Sequence, residues 1–231
     1  MAIQVLSGGA AKTLVNSVAT SFSDATGARV LAEYSAVGAI RLRVLAEETA
    51  DMIILSRKVI DELIVSGFAD PGSAIDLGQV MTGLATCTGN ADACCNSADS
   101  LRLTLLDADG IFFPDPDKAT AGIHFASVLD DLGIRVEIAD RIHTYPDGFD
   151  AINAMVESGC SRPIGCTQVT EILGVSNARL IGPLPHGYAL TTTYTAAVLN
   201  CATEPYLARK LISALTSPEN QSIREQAGFS N

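Results

Sequence analysis

The sequence predicts an α/β protein of two lobes, and three observations predict it. Short apolar strand patterns alternate with helical patterns along most of the chain. Glycine or another small residue stands where a strand feeds the next helix, and two apolar runs, 80–86 and 189–199, bracket the middle segment. The alternation implies parallel strands with helices packed on their faces. The bracketing runs divide the chain into a discontinuous first lobe, residues 1–79 plus 190–231, and a second lobe, residues 80–189.

Taken in order, residues 3–6 form an apolar strand, and Ser7-Gly8-Gly9 turns it into a helix. Leu14, Val15, Val18, Phe22 and Ala25 share one face of that helix, which ends at Gly27. A strand follows over 29–34, a turn over 35–38, a helix over 39–50, a strand over 52–55 and a helix over 59–66 closed by Gly67. After the run 80–86, the pattern predicts a helix over 101–106, a strand over 111–113 and a helix over 121–132 ended by Gly133. A strand over 141–145 leads to a helix over 149–157 ended by Gly159, and a strand over 163–167 leads to a short helix over 169–173. The run 189–199 returns the chain to the first lobe. Two helices close it, over 204–215 and after the Ser217-Pro218 pair, whose hydroxyl and fixed φ suit a helix start.

Composition excludes several classes of partner. The chain has 231 residues, of which 26 are acidic and 15 basic, so its net charge of −11 repels polyanions. No cluster of Lys and Arg reverses that field, and neither nucleic acid nor an anionic membrane surface is expected as a partner. No stretch approaches the roughly 18 consecutive apolar residues of a membrane span, so no membrane insertion is expected. The N-terminus enters a strand without a basic n-region or an h-region. That fits a cytoplasmic chain, or a periplasmic or secreted one whose signal peptide has been removed. Cys87, Cys94, Cys95, Cys160, Cys166 and Cys201 form no CxxC pair, and with His124, His143 and His186 they match no zinc spacing. They read as small core residues, with a disulfide from Cys87 to Cys94 or Cys95 as the alternative in an oxidising compartment. No metal and no cofactor are expected.

The candidate site lies at strand-to-helix turns. In Ser7-Gly8-Gly9-Ala10-Ala11-Lys12-Thr13 the glycines let backbone N–H groups approach an anion at the positive end of a helix. A nucleotide loop would need Gly where Ala11 stands, immediately before Lys12-Thr13. Ser35-Ala36-Val37-Gly38, Thr120-Ala121-Gly122 and Pro146-Asp147-Gly148 repeat the arrangement. Such ends converge on one crevice in open α/β sheets. The set predicts a small anionic ligand held by several helix N-termini.

These residues also carry a resemblance. The segments LSGGAAKT (6–13), ATGARVLAEYSAVGAI (25–40), ADMIILS (50–56), DPDKATAGIHFASVLDDLGI (115–134), GCTQVTEILGVSNARLIGPLP (165–185), ALTTTYTAAVL (189–199) and LTSPENQSIREQAGF (215–229) are similar to the molybdate-binding proteins of ABC transporters. That family is a branch of the type II periplasmic solute-binding proteins. The resemblance implies two α/β lobes joined by two crossing strands, a ligand cleft between them, and an ABC transporter permease as partner. It adds Ser56, at the end of ADMIILS, to the ligand-binding set. Molybdate binders of the family use one hydroxyl at the start of the first helix, another at the start of the second, and a tyrosine near the GCTQ segment. The matching positions hold Ala10, Val37 and Gln168. Ala and Val donate no side-chain hydrogen bond, so an organic carboxylate is expected in preference to molybdate, with Ser7 and Ser35 as the nearest hydroxyls.

The segment 168–185 resembles a subgroup that departs from molybdate binders and includes aconitate isomerase, which leaves an enzyme on the same fold as the alternative. A polycarboxylate calls for Arg or Lys, and Lys12, Arg41 and Arg57 are the candidates, whereas Arg43 reads as part of a solvated helix face. An isomerase acting on a small unsaturated di- or tricarboxylate needs an acid and a base near the carbon skeleton. His124, two residues past Gly122, and Tyr145, at a strand end, are the candidates for these roles.

Overall fold

The computed structural model describes residues 1–90 and 93–230. The chain forms two compact units, Met1–Val80 with Thr192–Asn231 and Met81–Thr191. The architecture is α/β, and nine strands, β1 to β9, and nine α-helices, α1 to α9, are assigned among the described residues.

In the first unit, β1 (Ala2–Gly8) lies parallel to β2 (Arg29–Ser35) on one side and to β3 (Met52–Ser56) on the other. β9 (Thr191–Val198) runs antiparallel to β3 and completes the order β2-β1-β3-β9. All five residues of β3 are buried, as expected of a strand covered on both faces. α1 (Lys12–Thr26) buries Leu14, Val15, Val18 and Phe22, and Gly27 closes it at φ +70°, a conformation glycine adopts without steric cost. Ala25 continues the stripe in sequence but is exposed. α2 (Val37–Leu45) starts two residues earlier than the apolar pattern suggests and stops five earlier. It starts early because Ala36 is extended at ψ 143° and the next residue is already helical. It stops early because Glu47 takes a left-handed φ of +58°. α3 is Arg57–Val65, α8 is Pro205–Thr216 and α9 is Gln221–Gln226. The Ser217-Pro218 pair opens a 3₁₀ turn, Pro218–Asn220, with the Ser217 side chain accepting from the Asn220 N–H, and α9 follows from it.

Buried Asp51 ties this unit together. Its carboxylate accepts from the backbone N–H groups of Gln4, Thr203 and Glu204 at 2.8 Å each and from the Thr203 hydroxyl at 3.1 Å. It thereby fixes the entry to α8 against β1.

The second unit is built on the strand order β8-β4-β7-β5-β6. β5 (Gly110–Pro114) is parallel to β6 (Ile142–Tyr145) and to β7 (Pro163–Gln168). β4 (Ile75–Cys87) enters from the first unit and pairs antiparallel with β7 and with β8 (Ala178–Pro183). Strand alternation separates two cores. Ile111, Phe113, Ile164 and Cys166 meet Leu101 and Leu105 of α4 (Ala98–Asp107) and Phe125 and Leu129 of α5 (Thr120–Asp131) on one face. Phe112 meets Phe149, Ile152 and Met155 of α6 (Gly148–Glu157) and Ile172 of α7 (Val169–Leu173) on the other. Phe113 and Phe125 pack edge to face with centroids 5.2 Å apart. β8 is absent from the sequence reading because its residues are half-buried without the alternation that marks a strand. β4 is longer than the run 80–86 because its polar first half also joins the sheet.

Candidate functional site

In the first unit the carboxyl ends of three parallel strands share one edge. Each feeds a helix start that its own side chains leave uncapped. β1 passes through Gly8 and a buried 3₁₀ turn, Gly9-Ala10-Ala11, into α1. β2 ends at Ser35, opposite Gly8, and passes through Ala36 into α2 at Val37. β3 ends at Ser56, which precedes α3 without capping it. Uncapped helix starts expose N–H donors and carry partial positive charge.

These starts are close together. A Cβ added to Gly8 would lie 3.2 Å from Val37 Cγ2 and 3.3 Å from Tyr194 Cε1, so only glycine fits there without a shift in its neighbours. Buried Tyr194 is paired with Ser56 in the β3–β9 ladder and packs edge to face on Phe229. No local pattern in the sequence marks Tyr194, which lies in an apolar run that reads as a crossing strand. Ser7 is fully buried, and its hydroxyl donates to the Gly8 carbonyl at 2.9 Å. Its proton is therefore already used within the turn.

The basic candidates are engaged on the surface. Arg41 of α2 donates to Glu62 of α3 at 3.2 Å, and Arg57 donates to Asp61 at 2.9 Å and Asp76 at 3.2 Å. Arg43 bridges Glu33 and Glu48, which raises its own pKa and, chiefly through the Arg43 hydrogen bond, lowers that of Glu48. The Lys12 ammonium lies 5.8 Å from the centroid of the Tyr34 ring, and burial pushes the Tyr34 phenol up.

In the second unit the ends of β5, β6 and β7 lead into α5, α6 and α7. Ala119 leaves α5 uncapped, so Thr120, Ala121 and Gly122 present a free helix start. Gly122 seats α5 against the end of β5, since a Cβ there would lie 2.2 Å from the Pro114 carbonyl oxygen and 2.3 Å from that of Asp115. The Pro146-Asp147-Gly148 turn differs from its sequence expectation. The Asp147 carboxylate accepts from the Asp150 N–H at 3.0 Å, and Glu171 lies where a Gly148 side chain would be. Two carboxyl groups thus lie at the start of α6, and the Asp147 side chain caps it.

His124 and Tyr145 lie on opposite faces of this sheet. His124 stands one turn into α5, and its Nε2 is 2.7 Å from the Tyr188 carbonyl oxygen. Tyr145 lies on the side of Phe112, 6.3 Å between ring centroids, where His143 also stacks at 4.9 Å. Gln168 ends β7 and is 2 % exposed; neither its Nε2 nor its Oε1 has a hydrogen-bond partner among the described residues. The same holds for the buried hydroxyls of Thr82, its partner across the β4–β7 ladder, and Thr170. Sequence reasoning names Gln168 through the resemblance alone, and nothing in the sequence marks Thr82 or Thr170.

The six cysteines are free thiols, and burial pushes Cys166, Cys95 and Cys87 up. Among the described residues no group of three or more His, Cys, Asp or Glu could hold a metal ion. No helix among them is long and apolar enough to cross a membrane.

Comparison with known proteins identifies the family and the fold. The profile described as bacterial extracellular solute-binding protein matches residues 3–230. An aconitate isomerase from a Pseudomonas species is 24 % identical over 233 residues, covering 98 % of this chain and 87 % of that protein. The periplasmic molybdate-binding protein of Azotobacter vinelandii superposes with a TM-score of 0.82 at 18 % identity, over 99 % of both chains. The sulfate-binding protein SubI of Mycobacterium tuberculosis H37Rv superposes with a TM-score of 0.75 at 16 % identity, over 99 % of this chain and 86 % of that one. The fold is that of the type II periplasmic binding proteins.

Proposed function

The chain belongs to the family of bacterial extracellular solute-binding proteins, and from that premise we propose that it captures a small organic carboxylate for an ABC-type uptake system. The observation that carries this reading is the row of uncapped helix starts at the edge of β1, β2 and β3, where Ala10 and Val37 offer no hydroxyl. A tetrahedral dianion such as molybdate presents four oxygens and needs many placed donors. A carboxylate presents two in a plane and is satisfied by fewer N–H groups. In this reading the ligand-binding candidates of the first unit are the backbone groups of Gly8, Gly9, Ala10, Ala36 and Val37 with the side chains of Ser35 and Ser56, and those of the second are the backbone groups of Thr120, Ala121 and Gly122 with the side chain of Gln168. Ser7 shapes the first turn, and Arg41 supplies charge from the flank of α2. The partner is the membrane permease of the transporter, and the working compartment is the periplasm or cell exterior.

The test is a thermal-shift screen of di- and tricarboxylates, molybdate, tungstate and sulfate, followed by calorimetric titration. A ligand that binds only the folded state raises the melting temperature by mass action. Organic acids are expected to shift it and molybdate is not. Submicromolar molybdate affinity would overturn the reading.

A second reading, an isomerase of a small unsaturated carboxylate, is favoured by the resemblance to the aconitate isomerase across nearly the whole chain. In it His124 and Tyr145 would act as separate groups, since they lie on opposite faces of one sheet. Incubation with cis-aconitate, with trans-aconitate followed by chromatography, decides it. No turnover leaves the binding role alone.

A further inference from the structure

We infer that the ligand carries a hydrogen-bond donor of its own, an O–H beside its carboxylate, and that Gln168 is the residue that reads it. The inference rests on the proposed role of Gln168 as a ligand-facing residue and names the class of acid it selects. Four buried side-chain atoms lack hydrogen-bond partners among the described residues: Thr82 Oγ1, Thr170 Oγ1, Gln168 Nε2 and Gln168 Oε1. They belong to the end of β7, the residue facing it on β4 and the first turn of α7. Other buried threonines of the same sheet are satisfied. Thr86 donates to the Pro163 carbonyl at 2.8 Å, and Thr167 donates to the Glu171 carboxylate. Buried polar groups are rarely left unpaired, so the cluster calls for an outside partner.

The four atoms state what that partner must offer. Nε2 only donates, each hydroxyl donates and accepts, and Oε1 only accepts. An anion that presents lone pairs alone, such as sulfate, molybdate or a plain dicarboxylate, can satisfy Nε2 and the hydroxyls but leaves Oε1 buried and unmet. A hydroxycarboxylate offers carboxylate oxygens to the donors and its O–H to Oε1. Reversing the amide does not alter the argument, because both of its polar atoms are unpartnered. A ligand that meets this acceptor gains about tenfold or more over one that leaves it unmet.

The experiment is calorimetric titration of the full chain with two matched pairs, malate against succinate and citrate against tricarballylate. The wild type is expected to bind the hydroxylated member of at least one pair about tenfold or more tightly. Gln168→Met, which keeps much of the volume and removes both polar atoms, is expected to bring the pair within about threefold. Its melting temperature without ligand is expected to equal or exceed that of the wild type, because an unpaired amide has been removed from the interior. Thr170→Val provides a second, smaller removal for the same measurement. Equal affinities for the members of each pair bound by the wild type would overturn the inference and leave the carboxylate reading intact. A preference that survives in Gln168→Met would overturn the role of Gln168, and a marked fall in melting temperature in both variants would show that the protein itself uses these groups. Binding of none of the four acids would overturn the carboxylate reading itself, and the inference with it.

Discussion

His124 and Tyr188 are joined by a 2.7 Å hydrogen bond from an imidazole nitrogen to a backbone carbonyl, linking α5 to the segment between β8 and β9. A carbonyl only accepts, so Nε2 carries the proton and Nδ1 is the nitrogen left for other work. The contact is structural whatever else His124 does. His124→Ala is expected to lower stability by about 1 kcal/mol, and His124→Gln, which can still donate, by about half that. Urea unfolding of the two variants checks it.

Gly122 meets rigid backbone. Its absent Cβ would clash with the carbonyl oxygens of Pro114 and Asp115. Neither can swing away as a side-chain end could. Gly122→Ala is expected to destabilise the protein by about 3 kcal/mol, at the upper end of overpacking effects. The variant should also bind ligand more weakly if the start of α5 takes part in the site. Thermal unfolding and titration of the same preparation separate the two effects.

Asp51 serves three backbone N–H groups and one hydroxyl from a buried position. Removing it strands donors on two elements at once. Asp51→Ala is expected to cost about 3 kcal/mol or more, and Asp51→Asn, with one carbonyl oxygen remaining, less. Hydrogen exchange at the Gln4, Thr203 and Glu204 amides should rise in the alanine variant, which locates the loss.

Asp109 predicts a pH dependence. Burial alone would raise its pKa, but the N–H groups of Arg162 and Ser161, each at 2.9 Å, outweigh that effect and hold the carboxyl below its ordinary value. A carboxyl depressed on folding adds stability that is fully present above its unfolded pKa and is lost as the pH falls through the folded one. Asp109→Asn should therefore be less stable than the wild type at neutral pH. The difference should shrink below the ordinary Asp value and vanish at still lower pH. Unfolding curves across that acid range test the sign.

The sequence made the alternation of strands and helices legible because burial repeats along each element. Leu14, Val15, Val18 and Phe22 announce α1, and Gly27, Gly67, Gly133 and Gly159 stand just past the ends of α1, α3, α5 and α6. β8 was not legible, since a strand half-buried along its length has no period to read. The turns at Gly8 and Ala36 were legible as strand-to-helix turns, but not the absence of a capping side chain there. At Pro146-Asp147-Gly148 the same pattern does not show that Asp147 caps α6 or that Glu171, distant in sequence, lies against its start. Tyr194, Thr82 and Thr170 have no local signature. Their significance comes from what they face across a ladder or fail to find in the interior.

The path of the chain through β4 and β9 also sets an order of events during synthesis. The second unit is one continuous segment and has all its parts when Thr191 has been made. The first unit begins earlier and finishes later. Until Thr192–Val198 emerges, β3 lacks its β9 neighbour, and α8 and α9 have not yet been made. The nascent chain therefore carries an unfinished N-terminal half beside a unit that can already close. The fold is therefore completed only when the C-terminal segment has been made, a dependence on contacts distant in sequence.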